Sequence, residues 1–321
     1  MKIDFNTAAD ILKSCGSAYI LTHQSPDGDC IGSGTALYYI LRGMGKKARV
    51  LCSDEIPKKF DFMRREYTDE EFEPEIIIAA DVADAKLLGR YNEIYGDKVD
   101  LCIDHHISNT GYAKNTLVCP DASAACEVVY ELMKVMGIAA DEKLAKCIYT
   151  GIATDTGCFR YENTTARAHE IAAELKKTVK VNFAKINREM FDVKSRGRLK
   201  MEAFAVDRIE YYLEGKCTLL AVTSKMREEM EVTPAELDGI EGIPLQVEGA
   251  EVGITIKQRD ETSYKISMRS ANDVNVSDIC AMLGGGGHVK AAGCLLHGTL
   301  DEVKEQIVDA VKKGIEVCTT E

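Results

Sequence analysis

Residues 18–29 read AYILTHQSPDGD, an apolar run that passes directly into a polar loop. The apolar half predicts a buried strand. His23, Asp27 and Asp29 follow it in a loop whose proline and glycine favour a tight turn. These three side chains can therefore point into one pocket. Taken alone, the pattern also fits a capped loop without any ligand.

Two further apolar runs end in the same way. Asp81 follows EIIIAA, and Asp104, His105 and His106 follow VDLCI. The carboxyl ends of parallel strands lie at one edge of a sheet, so these groups are expected to meet there. Asp155, in ATDTG, adds one more acid. An unpaired carboxylate cluster would repel itself and resist desolvation, so the pattern favours a bound cation.

Strand and helix signals alternate along the chain and predict an α/β fold. The expected fold is a parallel-sheet domain with helices on both faces, plus a smaller mixed α/β domain. The predicted limits are 1–186 for the first domain, 187–213 for a helical linker and 214–321 for the second domain. Strands are predicted at 18–22, 48–52, 75–80, 99–103, 217–222, 251–257, 263–269 and 293–297. Helices are predicted at 31–42, 124–136, 141–150, 165–177, 276–283 and 300–313.

Composition narrows the choice of partners and compartment. The chain has 321 residues, 45% of them hydrophobic and 29% charged, which is typical of a globular protein. No apolar run approaches the ~20 residues of a membrane span, and the start has no signal-peptide layout, so a cytoplasmic protein is expected. The net charge of −12 argues against long duplex nucleic acid as a partner. The 12 cysteines have no Cys-x-x-Cys spacing and are interpreted as buried thiols.

The second half carries features that suit an anion. Residues 284–287 are four glycines followed by His288, and consecutive free N–H groups could form an anion nest. A flexible linker is the alternative. Arg269, at the end of a predicted strand, is either a phosphate clamp or a surface arginine. Ser123 precedes a predicted helix and is expected to cap it, with phosphate binding as a second role.

Taken in order, these motifs resemble the DHH–DHHA1 phosphoesterase family over nearly the whole chain. HxxPDGD, Asp81, the Asp-His-His triplet and TDTG resemble its four amino-terminal motifs. Arg269-Ser270 followed by GGGGH and AAG resembles the DHHA1 signature. The layout is most similar to the NrnA group, oligoribonucleases that also dephosphorylate 3′-phosphoadenosine 5′-phosphate.

The resemblance implies a role for each motif residue. It implies two divalent ions, Mn²⁺ being favoured by the mixed ligands. One ion would be bound by His23 and Asp27, the other by Asp29, His105 and Asp155, with Asp81 bridging. His106 would contact the scissile phosphate or assist the leaving group, and Asp104 would orient a neighbouring imidazole. Substrate contacts would come from Arg269, Gly285, Gly286, Gly287 and His288. Ser123 is a further predicted contact, although Ser-Ala-Ala there departs from the Ser-Thr of many members.

The implied function is a Mn²⁺-dependent phosphoesterase acting on short single-stranded RNA, on dinucleotides such as pApA and on 3′-phosphoadenosine 5′-phosphate. Alternatives are a cyclic-di-AMP phosphodiesterase, a manganese-dependent pyrophosphatase and a nucleotide-binding module without metals. A large RNA partner is disfavoured by the acidic charge. The preferred substrate, the direction of cleavage, the metal used in the cell and the oligomeric state, including a homodimer, stay open.

Overall fold

A computed structural model describes residues 1–230, 237 and 239–318 of the chain. The chain divides into two compact units, Met1–Val193 and Lys194–Glu321. The finer division expected from the sequence, with a linker at 187–213, stays a prediction. Within the described ranges, no helix has both the length and the apolar character needed to cross a membrane.

The first unit alternates strands and helices. Its strands are β1 (Ser17–Leu21), β2 (Lys47–Leu51), β3 (Ile76–Ala80), β4 (Leu101–Asp104) and β5 (Asn115–Val118). Its helices are α1 (Phe5–Ser14), α2 (Gly28–Gly43), α3 (Asn92–Tyr95), α4 (Ala125–Val135), α5 (Glu142–Asp155), α6 (Ala166–Thr178) and α7 (Phe183–Asn187). Short 3₁₀ segments lie at Lys58–Met63 and Ala85–Tyr91, and a π-helical turn lies at Arg188–Asp192. The sequence patterns do not predict α1, α3, α7 or β5.

The five strands form one parallel sheet in the order β2-β1-β3-β4-β5. Ile20 of β1 lies opposite Val50 of β2 and Ile78 of β3, so β1 is an inner strand. The chain leaves β1 toward β2 on one side and later returns to β3 on the other. The loops after β1 and β3 therefore diverge. Open α/β sheets bind their ligands at such a switch point.

The sheet is buried on both faces, which explains the uninterrupted apolar runs. Ile20 and Ile78 point into a large core formed with α1, α2, α4, α5 and α6. Tyr19, Leu21 and Ile77 point into a second core on the other face. This core includes side chains of the 3₁₀ segment Ala85–Tyr91 and of α3. The predicted parallel sheet with helices on both faces is confirmed.

Helices α2 and α5 approach closely because glycine leaves no side chain in the contact. A Cβ added at Gly28 would lie 2.4 Å from Oγ1 of Thr154, and one at Gly32 would lie 2.7 Å from the carbonyl oxygen of Cys147. Neither separation is sterically possible, so both positions require glycine at the present spacing. The amino end of α2 is thereby held beside the carboxyl end of α5.

The second unit is a mixed sheet with helices. Its elements are α8 (Arg196–Asp207), β6 (Glu210–Tyr212), β7 (Cys217–Val222), α9 (Ser224–Met230), β8 (Val252–Gln258), β9 (Ser263–Ser270), α10 (Val276–Met282), β10 (Gly286–His288), β11 (Ala291–His297) and α11 (Leu300–Cys318). The sheet order is β10-β11-β9-β8-β7-β6, with only β7 and β8 parallel among the described pairs. Ile266 and Met268 of β9 share a core with α10 and α11. The predicted smaller mixed domain is confirmed.

Candidate metal centre

The loop after β1 brings a histidine and two carboxylates to the start of α2. Asp27 is the N-cap residue, and its Oδ1 accepts from the backbone N–H groups of Asp29 (3.1 Å) and Cys30 (3.0 Å). Helix α2 therefore begins earlier than the predicted residue 31, and Asp29 lies in its first turn. His23 donates from Nδ1 to the carbonyl of Gln24 (2.7 Å), which leaves Nε2 free to face the acids.

Asp29 is fully buried and is held by the first turn of α4. Its Oδ2 accepts from the N–H of Ala125 (2.6 Å), and its Oδ1 accepts from the N–H of Cys126 (2.9 Å). These two N–H groups have no partner inside the helix, and the positive end of the helix dipole favours a carboxylate. Asp29 therefore caps α4 across the fold while it faces the other acids.

Asp81 occupies the centre of the cluster in a strained backbone conformation. It follows β3 with φ of +59°, a left-handed value that residues with side chains rarely adopt. Its carboxylate is 3% exposed, and Oδ1 has no hydrogen-bond partner among the described residues. A buried carboxylate oxygen without a partner is costly, so this atom is suited to a cation.

Asp104 is occupied by hydrogen bonds at the end of β4. Its Oδ1 accepts from Nδ1 of His106 (2.7 Å), and its Oδ2 accepts from Nδ2 of Asn109 (2.6 Å). Burial favours the neutral acid, but these bonds outweigh it and lower the pKa of Asp104. The same bond raises the pKa of His106 to about 9. The geometry orients the His106 ring, with 44% of its side chain exposed.

His105 points the other way, toward the remaining carboxylates. Its Nδ1 donates to the carbonyl of Ala122 (3.1 Å), so Nε2 is left to face the cluster. That nitrogen lies 3.4 Å from Asp155, 3.7 Å from Asp81 and 3.9 Å from Asp29. The predicted helix ends at residue 150, whereas α5 continues to Asp155, its last residue.

Crowding and burial shift the protonation of these groups. Burial, followed by the charges of Asp81 and Asp155, raises the pKa of Asp29 well above its ordinary value. Burial raises the pKa of Asp155 to about 6 against the opposing effect of His105, with Asp81 and Asp27 adding to the rise. For His23, burial favours the neutral ring, but the nearby carboxylates of Asp27 and Asp81 raise its pKa overall. The cluster therefore carries excess negative charge that a cation would neutralise.

The six residues expected from the sequence to bind metal meet in one cluster. Nε2 of His23 lies 3.8 Å from Asp27 and 3.6 Å from Asp81. Three sets of residues could each hold a cation, because the ligand atoms within each set all lie within 4.8 Å of one another. They are His23, Asp27 and Asp81; Asp29, His105 and Asp155; and Asp81, His105 and His106. The first two sets share no residue, and Asp81 belongs to two sets.

Two supporting residues are not predicted from the sequence. Asn109 fixes Asp104, and Asn163 donates from Nδ2 to the backbone carbonyls of Ser123 (3.2 Å) and Asp155 (3.2 Å). Asparagine is common in loops because its side chain hydrogen-bonds to nearby backbone. The sequence around Asn109 and Asn163 therefore gives no signal that would distinguish them from ordinary loop residues.

The expected capping role of Ser123 is wrong. The N-cap residue of α4 is Ala124, which offers no side-chain acceptor. Ser123 is fully buried, and its hydroxyl donates to the carbonyl of Asn163 (2.7 Å). The helix start is already filled by the Asp29 carboxylate, so neither the hydroxyl nor the α4 terminus is open to a phosphate. Substrate contact by Ser123 has no support in this geometry.

The glycine run forms neither an anion nest nor a linker, since its first half closes α10 and its second half begins a strand. Gly284 and Gly285 donate to the last turn of α10, at the carbonyls of Ala281 (3.1 Å) and Cys280 (2.8 Å). The next three residues form β10, which pairs with β11 at the edge of the second sheet. The N–H groups are therefore used in capping or lie along a strand, so they do not converge on one anion.

One cavity in the second unit does combine some of the expected substrate residues. It has a volume of about 540 Å³, and Arg269, Gly286 and Gly287 line it. Arg259 and Lys265 also line it, so it carries three cationic side chains. Gly285 and the exposed His288 do not line this cavity.

Two family models match the chain. Residues 17–152 match the DHH family, N-terminal domain, and residues 218–316 match the DHHA1 domain. The chain is 33% identical to the bifunctional oligoribonuclease and PAP phosphatase NrnA of Thermus thermophilus, over 96% of this chain and 93% of that protein. It is 25% identical to the protein of the same name from Bacillus subtilis, over 89% of this chain and 91% of that protein.

A solved structure supports the fold independently. The exopolyphosphatase-related protein from Bacteroides fragilis superposes with a TM-score of 0.86 over 96% of this chain and 95% of that chain. Its sequence identity is 24%, so the likeness concerns the fold alone.

Proposed function

The chain belongs to the DHH–DHHA1 phosphoesterase family, whose members are hydrolases, and on this premise we propose that it cleaves short oligoribonucleotides, dinucleotides such as pApA, and 3′-phosphoadenosine 5′-phosphate. The relatives named oligoribonuclease and PAP phosphatase support this substrate range. The observation that carries the proposal is the convergence of six histidine and aspartate ligands at the switch point of the first sheet.

The ligand set fits two divalent cations. His23, Asp27 and Asp81 form one group of donor atoms, and Asp29, His105 and Asp155 form another. Oδ1 of Asp81 has no hydrogen-bond partner among the residues that the structure describes, which supports a shared ligand between them. Mixed imidazole and carboxylate donors favour Mn²⁺ over Mg²⁺, which prefers oxygen ligands. Bound cations of this type supply Lewis acidity at a phosphoryl oxygen and lower the pKa of water.

Charge makes the cations a condition for substrate binding. Four carboxylates surround the centre, and a phosphodiester is itself an anion, so the two repel each other across a poorly solvated site. We therefore expect phosphate substrates to bind the metal-loaded protein and not the metal-free protein.

The chain's own residues would then position the phosphate. Asp104 holds the Nδ1–H of His106, so Nε2 is directed away from that bond. We assign this nitrogen a contact with the scissile phosphate or the leaving oxygen. In the second unit, Arg269 with Gly286 and Gly287 lines a cationic cavity of a size suited to a nucleotide phosphate and sugar. We assign that cavity to substrate binding.

The test is a substrate panel with Mn²⁺ and resolved products. The four substrates are pApA, 3′-phosphoadenosine 5′-phosphate, a five-nucleotide RNA and cyclic-di-AMP. We expect one water per bond cleaved, giving two AMP from pApA, and AMP with phosphate from 3′-phosphoadenosine 5′-phosphate. Faster turnover of cyclic-di-AMP than of the linear substrates would favour the cyclic-dinucleotide alternative.

The Asp81→Asn variant tests whether turnover depends on the charge at the centre of the cluster. Asparagine keeps the shape of the side chain and tolerates the left-handed φ at this position. It removes the shared charge, so turnover should fall below roughly 1% of the parent, a loss of more than about 2.7 kcal/mol of transition-state stabilisation. Parent-like turnover by this variant, or turnover of none of the four substrates by the parent, contradicts the proposal.

A further inference from the structure

The turn that follows Asp155 has an unusual backbone. Gly157, Cys158 and Phe159 have φ values of +56°, +59° and +63°. Glycine adopts this region freely, but Cys158 and Phe159 do so only at a steric cost. Two consecutive side-chain residues in this conformation indicate that other contacts impose the turn.

Those contacts come from α5, its C-terminal cap and α6. The Phe159 ring stacks on His169 at 5.1 Å between ring centroids and packs against Tyr149 at 5.9 Å. The N–H of Phe159 donates to Oγ1 of Thr156 (3.0 Å), and the N–H of Cys158 donates to the carbonyl of Ala153 (2.6 Å). The turn is therefore fixed to α5 and α6, and what it presents to solvent is held in place.

It presents an exposed aromatic ring. Tyr161 is 58% exposed, and its ring covers Gly157 so closely that a Cβ there would lie 2.3 Å from Cζ. Arg160 donates from Nε to the carbonyl of Gly157 (2.5 Å), which adds a cationic group to the same turn. The Tyr161 ring therefore packs against a glycine while more than half of the residue is open to solvent.

This ring is tied to the metal centre through the backbone. Asn163 hydrogen-bonds the carbonyl of Asp155, so the turn and the ligand are parts of one hydrogen-bonded segment. A second exposed apolar side chain, Ile107 at 90% exposed, directly follows His106 in the sequence. Exposed apolar side chains thus lie on the chain segments that follow Asp155 and His106.

We propose that Tyr161 stacks on a nucleobase of the substrate and so sets the preference for nucleotides over other phosphate esters. The inference rests on the proposed function, because it needs a base near the scissile phosphate. Aromatic stacking suits it, since every base has a π-face and the contact tolerates mixed sequences. Tyr161 is thereby a specificity residue, whereas the acids and histidines carry the chemistry.

Binding measurements test the inference separately from turnover. Calorimetric titration of the Mn²⁺-loaded protein with 5′-AMP and with ribose 5-phosphate compares ligands that share sugar and phosphate but differ in the base. We expect the parent to bind 5′-AMP about tenfold more tightly, in line with base stacking on aromatic residues. Tyr161→Ala should remove this difference, while Tyr161→Phe should retain it.

Two further variants separate stacking from structure. Tyr161→Leu still covers Gly157 but has no π-face, so it should behave like Tyr161→Ala if stacking is the role. Tyr211, 61% exposed on β6, is the matched control, and Tyr211→Ala should bind both ligands like the parent. Retention of the base preference by Tyr161→Leu, equal affinities of the parent for the two ligands, or binding of neither overturns the inference.

Turnover distinguishes the two proposals. A parent that shows the base preference but hydrolyses none of the four panel substrates contradicts the proposed function and leaves Tyr161 as a base-binding residue. A parent that hydrolyses pApA with a KM unchanged by Tyr161→Ala contradicts the role of Tyr161 and leaves the proposed function intact. If both hold, we expect Tyr161→Ala to raise KM for pApA about tenfold with kcat nearly unchanged.

Discussion

Asp155 illustrates how a single residue can oppose folding while serving a site. It ends α5, where the negative end of the helix dipole disfavours a carboxylate. Burial and neighbouring acids raise its pKa from 3.8 to about 6. An acid whose pKa rises on folding contributes stability that is full below pH 3.8 and is lost as the pH rises through about 6. The metal-free protein is therefore destabilised by this group at neutral pH.

Replacing Asp155 by asparagine should stabilise the metal-free protein at pH 7. The expected gain in the free energy of unfolding is roughly 1–3 kcal/mol, the scale of a pKa displaced by one to two units. It should disappear near pH 4, where the parent carboxyl is protonated in the folded state. Urea unfolding of metal-free parent and variant at the two pH values measures both effects.

The control is Asp207→Asn. Asp207 is also the last residue of a helix, α8, but it is exposed. In this variant the unfavourable interaction between the carboxylate and the helix dipole is removed, but no buried charge is removed. The expected gain in the free energy of unfolding is therefore only a few tenths of a kcal/mol. If Asp155→Asn raises the free energy of unfolding by no more than Asp207→Asn does, then repulsion and burial in the acid cluster do not destabilise the metal-free protein.

Among the elements, β10 depends most directly on the absence of side chains. A Cβ at Gly285, immediately before β10, would lie 2.3 Å from the carbonyl of Gly293 and 2.4 Å from Cβ of Cys294. One at Gly286 would meet nothing within 4 Å. Neither residue has a positive φ, so the two positions differ in packing and not in backbone strain.

Gly285→Ala should therefore move β10 away from β11. We expect a loss of about 1–3 kcal/mol in the free energy of unfolding, typical of an overpacked site, and a higher KM, because Gly286 and Gly287 line the cationic cavity. Urea unfolding and steady-state kinetics measure the two effects. Gly286→Ala should resemble the parent in stability, and equal losses from both substitutions would contradict this account.

Eight strands of the two units match their predicted ranges to within two residues, whereas β5, β6 and β10 are not predicted. Runs such as IIIAA are apolar throughout because the sheet is covered on both faces, and the pattern reports that burial directly. Strand β10 could not be predicted, since GGH carries no side-chain pattern of either period. Helix α5 extends beyond the predicted residue 150 because Gly151, an apparent breaker, permits close contact with Asp29.

The acids and histidines of the candidate site can be recognised in the sequence because each belongs to a short motif after a strand or at the end of a helix. Their partners are not visible. Asn109 and the turn beyond Asp155 take their roles from tertiary contacts that no local spacing encodes. The cap predicted at Ser123 is wrong for the same reason, since a carboxylate from α2 already occupies the start of α4.

At the scale of the molecule, the six predicted metal ligands all belong to the first unit, Met1–Val193. Cation binding should therefore stabilise this unit by relieving repulsion among its acids. At a Mn²⁺ concentration about 100 times Kd, each occupied site contributes a gain of about 2.7 kcal/mol. For a unit of this size it corresponds to a rise in Tm of roughly 5–10 °C.

Thermal melting in EDTA and in Mn²⁺ measures this shift. Hydrogen exchange should locate the gained protection at the ends of β1, β3 and β4. The Asp81→Asn protein, melted under both conditions, should show little or no shift. Protection gained only in β7 to β11 would place the cation elsewhere and contradict the assignment.

The hydrogen bonds of Asp29 affect which residues would be retained if the protein lost its activity in evolution. Its carboxylate satisfies two backbone N–H groups of α4, so its loss damages a helix as well as a ligand set. Within the described part of the chain, Oδ1 of Asp81 accepts no such bond. In a gene copy released from selection for catalysis, Asp81 should drift early while Asp29 persists. Inactive descendants would then be recognised by an aspartate retained at this one position after its companions have gone.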